Sequence, residues 1–320
     1  MDGDERSVAD DVARATALAH RYLAAQVDDP LRRRRIRRAN WLLLTEYFAA
    51  IALTYAVIYA APWPLLVLII IPWTIGSSML LDCIVHYLNH WPPFRGARAN
   101  AVWHLAGALV FYNAVEIRHF HFQHHRQLEA DANAQFDWRG LLIEWGRYIA
   151  SLWKPFAPEV LDLRRTRPGD FAEIAINRAA SIVLLVALVI AAPARTLLVF
   201  VPAMFVIAPF CSLLMNITDH SPGDPGHPFH QATWLEPATR GERLASAVNL
   251  YTAATHLTHH LFPQVHWVHI RELQRELAPI YERHAAPRSR IINSTLLGNP
   301  LRLFLLVRAI VGACRTPSTT

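Results

Sequence analysis

His121, His124 and His125 in HFQHH, and His256, His259 and His260 in HLTHH, repeat one pattern, HxxHH, in segments that otherwise share little. On an α-helix, residues at i, i+3 and i+4 share a face, so each segment points three imidazoles into one small volume. His86 and His90 in HYLNH, at i and i+4, form a third co-facial set. Seventeen histidines in 320 residues is a bias that needs a cause, and a low-complexity histidine tract would be contiguous rather than divided in three. Neutral imidazole is a common ligand for iron, zinc and copper, so metal binding is the chemistry this spacing predicts.

Eight clustered histidines exceed the need of a single zinc, which takes four ligands in structural sites and three plus water in catalytic ones. A ninth candidate stands in NITDH, where Asn216 and His220 are again i and i+4. Nine imidazoles shared between two ions give each four or five ligands with positions left open. A zinc protease is disfavoured because no HExxH supplies a general base. His20, His104, His227, His230, His269 and His284 read as satisfied core or surface residues, and His119 falls on a different helical face from His121.

The elements that must carry these clusters are apolar. Hydrophobic residues make up 53% of the chain, charged residues 18%, and mean hydropathy is +0.19, which points to a membrane protein. Four runs approach the roughly 20 residues a span requires: spans at about 41–61, 64–85, 173–193 and 196–217, in two tight hairpins. Arginine sets the orientation. LRRRRIRR (Leu31 to Arg38) precedes the first span and the segment from Pro92 to Phe171 is arginine-rich, whereas the PWP connection has no arginine and APAR only Arg195. The positive-inside rule then places both termini, the central segment and every histidine cluster on the cytoplasmic side.

Residues 1–40 read as a cytoplasmic amphipathic and basic segment, 41–285 as the membrane domain, and 286–320 as an interfacial helix, LRLFLLVRAIVGA, with a tail. The N-terminal 30 residues lack the apolar core of a signal peptide and are expected to be retained. Cys83, Cys211 and Cys314 form no CxxC pair. Glu46, within the first span, reads as reaching the interface. The arginine run, despite a pI near 9.5, reads as a topology determinant and anionic-lipid contact rather than a nucleic-acid patch.

Over residues 80 to 285 the chain resembles the membrane fatty acid desaturase and hydroxylase superfamily. HYLNH resembles its first histidine box, HFQHHRQLEAD its second, and HLTHHLFPQVHWVHIRELQREL its third. The resemblance extends to a histidine after the fourth span, His220, and an asparagine four residues before it, Asn216, which would hold a metal-bound water. A departure is His266–Trp267, where the family often has proline and an aromatic, so the substrate entrance is the part least covered. The resemblance implies an all-α integral membrane fold, with four transmembrane helices in two hairpins and a cytoplasmic helical cap around a di-metal site. It implies two iron ions held by His86, His90, His121, His124, His125, His220, His256, His259 and His260, with O2 as co-substrate. Asp82, Asp131 and Asp219 lie close enough in sequence to orient the imidazoles.

The expected function is O2-dependent introduction of a double bond into an aliphatic chain, carried as an acyl-CoA, an acyl carrier protein thioester or a phospholipid. A hydroxylase, ketolase or acetylene-forming enzyme would share the same ligands. A membrane metal transporter is disfavoured, since transport sites lie near the bilayer midplane and these clusters follow the spans. With no rubredoxin-like CxxC, ferredoxin cysteine set or GxGxxG in the sequence, a separate ferredoxin, rubredoxin or cytochrome with its reductase is the expected electron source.

Overall fold

Asp29 and Pro30 punctuate the first two helices. The Asp29 carboxylate accepts the Leu31 N–H at 2.8 Å, and Pro30 takes the first helical position, where a missing N–H costs nothing. A computed structural model describes residues 3–126, 158–220, 226–240 and 252–289, with isolated positions between them. Their helices are α1 (Gly3–Asp28), α2 (Pro30–Tyr55), α3 (Trp63–His90), α4 (Ala97–Ala106), α5 (Ala114–His124), α6 (Pro158–Thr166), α7 (Pro168–Ala191), α8 (Ala208–His220), α9 (His256–Leu261) and α10 (Trp267–Arg283). Among the described residues the only β-type pairing is an isolated bridge between Trp234 and Arg288, so the fold is all-helical.

Four helical stretches are long and apolar enough to cross a membrane: Pro30–Ala60, Trp63–His90, Pro168–Ala191 and Pro193–Leu214. The first starts well before the expected 41–61, because the arginine run forms the opening turns of α2 rather than a linker. Its 31 residues span about 46 Å at 1.5 Å per residue, more than the roughly 30 Å of hydrocarbon, so the stretch is long enough to cross an apolar layer without including the arginine run. Leu68 (75% exposed), Ile190 (78%) and Leu198 (71%) project outward from three of these stretches, a surface suited to acyl chains and not to water. The fourth contains two π turns, Thr196–Phe200 and Ala203–Ile207, flanking Pro202, whose ring removes a backbone donor and spreads the helix locally.

Packing brings the histidine-bearing elements together. Leu43, Tyr47 and Ile51 of α2 share a buried core with Leu81, Ile84 and Leu88 of α3, and Trp103 and Ala114 fasten α4 and α5 to it. A turn at Gly107 redirects the chain into α5. A side chain there would meet the Tyr112 carbonyl oxygen at 2.0 Å and the Tyr47 hydroxyl at 2.9 Å, so glycine is required by close approach. The N-terminal helix is no loose segment: Ala15, Ala19 and Tyr22 pack on Leu273, Leu277 and Tyr281 of α10. Arg283 Nη1 (2.6 and 2.5 Å) and His284 Nε2 (2.9 Å) donate to the buried Asp11 carboxylate, Tyr22 to Glu276 (2.7 Å), and Arg35 to Glu272 (2.9 Å). Two arginines of the run are thereby structural, since Arg32 also lies over the Tyr22 ring at 5.2 Å. The expected interfacial helix around 301–313, and Cys314, lie outside the described residues.

Candidate metal centre

Two groups of four imidazoles have ring nitrogens within 4.8 Å of one another: His86, His90, His121 and His259, and His124, His220, His256 and His260. His125 extends the first group, its Nε2 standing 2.9 Å from that of His121 and 3.1 Å from that of His259. In the first group His90 and His121 approach to 2.7 Å and His86 and His259 to 3.0 Å. In the second, His220 and His256 stand at 2.9 Å, His256 and His260 at 3.1 Å, and His124 and His260 at 3.3 Å.

The division explains why the chain uses HxxHH twice. On a helix the i+4 residue lies about 40° from i, while i+3 lies about 60° to the other side. α5 therefore gives His121 and His125 to the first set and swings His124 into the second. α9 does the reverse, giving His256 and His260 to the second set and His259 to the first. The two motifs interlock, each lending its odd residue to the other's partners. His86 and His90 from the last turns of α3 complete one set, and His220 from the end of α8 completes the other.

The donor set fits cations. Burial, and then the neighbouring imidazoles, push His121, His256, His259 and His260 well below the usual 6.5, and His125 to about 3, so these rings are neutral. A neutral Nε2 carries either one hydrogen or one in-plane lone pair and serves one partner. Yet the Nε2 atoms of His121, His125, His256, His259 and His260 each face two others at 2.7–3.3 Å. Hydrogen bonds cannot satisfy that arrangement. Ligand atoms about 2.1 Å from a shared ion would stand about 3.0 Å apart at a right angle and about 3.4 Å apart in a tetrahedron, which matches.

The groups behind the imidazoles differ from expectation. Asp219 Oδ2 lies 3.8 Å from His256 Nδ1, beyond a hydrogen bond, and both Asp219 Oδ1 and His256 Nδ1 are buried without a partner. Burial pushes that carboxyl up to about 8. Asp82, one turn before His86, has Ser212 of α8 as its hydrogen-bond neighbour rather than an imidazole, and its Oδ2 is buried without a partner. Asp131 and the Asn216 side chain lie outside what is described. His220 is held instead by a backbone group, the Gln231 carbonyl oxygen at 3.1 Å from Nδ1, which no sequence pattern announces. His104 pairs with Glu173 across α4 and α7, bordering a cavity of about 220 Å³ with Ala101, Leu105, Val115 and Ile176 that lies apart from the histidine cluster.

The model of the fatty acid desaturase family matches residues 76–291, a stretch that contains all nine clustered histidines. The chain belongs to the fatty acid desaturase family. No match is found among the curated proteins, and none among the solved structures. Membership makes this an oxidoreductase-type membrane protein associated with lipid substrates, and it gives the paired imidazole sets a natural occupant, since the family is typically di-iron.

Proposed function

We propose that the protein is an O2-dependent desaturase of an acyl chain. In this reading His86, His90, His121, His125 and His259 hold one iron, and His124, His220, His256 and His260 hold the other. Asn216 precedes His220 by one turn as His86 precedes His90, and completes the four-histidine set through a bound water. The observation that carries the reading is the two interlocked Nε2 sets inside a desaturase-family chain. When bound, the two irons would supply oxidation of unactivated C–H bonds by O2. The balance is one O2, two electrons and two protons consumed, two hydrogens removed from adjacent carbons, and two waters released.

The chain's own residues hold and shield. Nine imidazoles shared between two ions would leave positions open for O2, and the buried side chains of α9 around His256, His259 and His260 would keep bulk water from the reacting centre. Asp219 would accept a hydrogen bond from His256 Nδ1, now 3.8 Å away, on closer approach, and Asp131 is assigned the same supporting role beside the second box, whereas Asp82 faces Ser212 and supports the packing of α3 on α8. The four apolar stretches form two hairpins under a cytoplasmic cap, with both termini on that side. The partition 1–40, 41–285 and 286–320 follows from this. An external ferredoxin, rubredoxin or cytochrome with its reductase supplies electrons, and the net charge of +6 favours an acidic carrier.

The test is lipid mass spectrometry on membranes from cells expressing the chain with a ferredoxin system, against His124→Ala. Metabolites that lose two hydrogens only with the wild type establish desaturation, and fragmentation locates the bond. Metabolites that gain an oxygen move the protein to the hydroxylase branch. Full turnover in His124→Ala sinks the site assignment.

A further inference from the structure

The family match begins at residue 76, so α1 and all of α2 lie outside it, yet α2 bonds to the end of α3 and α1 to the His266 segment beside it. Gln26 of α1 accepts the His266 backbone N–H through Oε1 at 2.5 Å and donates to the Gln264 carbonyl oxygen at 3.3 Å. The His266 ring, 1% exposed, caps α10 by accepting the Val268 N–H at Nδ1, at 3.4 Å. An acceptor at Nδ1 leaves the hydrogen on Nε2, which donates to Asn40 Oδ1 at 3.0 Å. Asn40, buried on α2, passes the connection on from Nδ2 to the Trp91 carbonyl oxygen at 3.2 Å.

Trp91 follows His90 directly and closes α3, its N–H donating to the Tyr87 carbonyl oxygen at 2.9 Å. Its ring packs 4.8 Å from His266, 5.3 Å from His90 and 6.4 Å from His259, centroid to centroid. The neighbouring Trp267 stacks on Tyr87 at 5.3 Å, and Tyr87 meets His86 edge-on at 5.3 Å. The end of α3, which carries two imidazoles of the five-histidine set, is thus gripped from two sides.

The geometry points to His266 and Asn40 as positioning residues for the five-histidine set, holding the last turn of α3, and with it the aim of His86 and His90, with Asn40 contributed by a helix the family match does not reach. The physical reason lies at the helix end. Terminal carbonyls have no intrahelical donor, and a last turn left unanchored frays. Fraying here would carry His90 Nε2 away from its 2.7 Å approach to His121. The four-histidine set takes no residue from α3, so it should be indifferent to the clamp. The inference rests on the two-metal reading proposed above, and it deepens that reading by making the two sites separately sensitive.

Cobalt(II) titration of the full chain in detergent, read by metal per chain and by visible absorption, separates the two. The wild type is expected to bind two cobalt ions. In His266→Phe the affinity of one site should fall about 10–100-fold, the range for lost outer partners of a metal ligand, while the other site keeps its affinity and its absorption bands. Asn40→Leu should reproduce this, and His266→Gln, which can still donate to Asn40, should restore both sites. Two unchanged cobalt sites in a His266→Phe protein with wild-type helix content would overturn the proposal, as would equal weakening of both. Should His266→Phe fail to fold, Asn40→Asp is read by the same criteria, since it offers His266 an acceptor but has no N–H for the Trp91 carbonyl. A wild type that takes no cobalt overturns the two-metal reading itself.

Discussion

Histidines gather in two regions of this molecule, and only one looks like a metal centre. In the outer region the rings of His227 and His230 are 4.1 Å apart and those of His227 and His284 5.5 Å, as close as neighbours in the inner cluster. One nitrogen of each ring is already committed to a protein group. His227 Nδ1 accepts the Phe229 N–H at 3.2 Å, His230 Nε2 donates to the His284 carbonyl at 2.7 Å, and His284 Nε2 donates to Asp11 at 2.9 Å. In the inner region the Nε2 atoms of His121, His125, His256, His259 and His260 each face two other imidazole nitrogens, more than one hydrogen or one lone pair can serve. Proximity of imidazoles is therefore weak grounds for a metal site; the direction of uncommitted lone pairs is strong grounds.

That contrast can be broken most severely from inside. His259→Ala removes the Nε2 that faces both His86 and His125, and we expect loss of one metal per chain and of turnover, read by metal analysis and product mass spectrometry. Asp219→Asn leaves every imidazole in place but weakens the acceptor behind His256. Metal affinity or activity should drop about 10–100-fold, checked by titration with a competing chelator.

The outer region should respond in stability alone. Asp11→Asn loses charge-assisted bonds from Arg283 and His284, which should cost about 1–3 kcal/mol in detergent unfolding with unchanged metal content. The same lock has a signed pH dependence. Burial raises the Asp11 carboxyl, and the bonds from Arg283 and His284 outweigh it, so it titrates below the ordinary aspartate value. A depressed carboxylate contributes stability that is complete above its unfolded value and lost as pH falls through its folded one. Protease sensitivity of α1 should accordingly stay flat from pH 7 to about 5 and rise only below about 4. His230→Ala should be the mildest change, about 1 kcal/mol with both metals retained. Loss of metal in either outer variant would erase the contrast between the regions.

The sequence by itself determined the features that depend on local periodicity. HxxHH places three imidazoles on one face of its own helix whatever that helix packs against, and apolar runs near 20 residues specify membrane-length helices without knowledge of neighbours. Those two signals were enough to read an all-helical membrane protein with histidine clusters. The division of each HxxHH between two sets was not legible, because periodicity fixes a face relative to its own axis and not which face of another helix it meets. Sequence marked His266 only as a departure from the family's proline, and nothing in its spacing announced a buried link from the start of α10 to α2. The docking of α1 on α10 and the Gln231 carbonyl behind His220 belong to the same class. Contacts between residues far apart in the chain are chosen by how the helices pack and by which polar groups burial leaves needing a partner, and only the tertiary structure decided those.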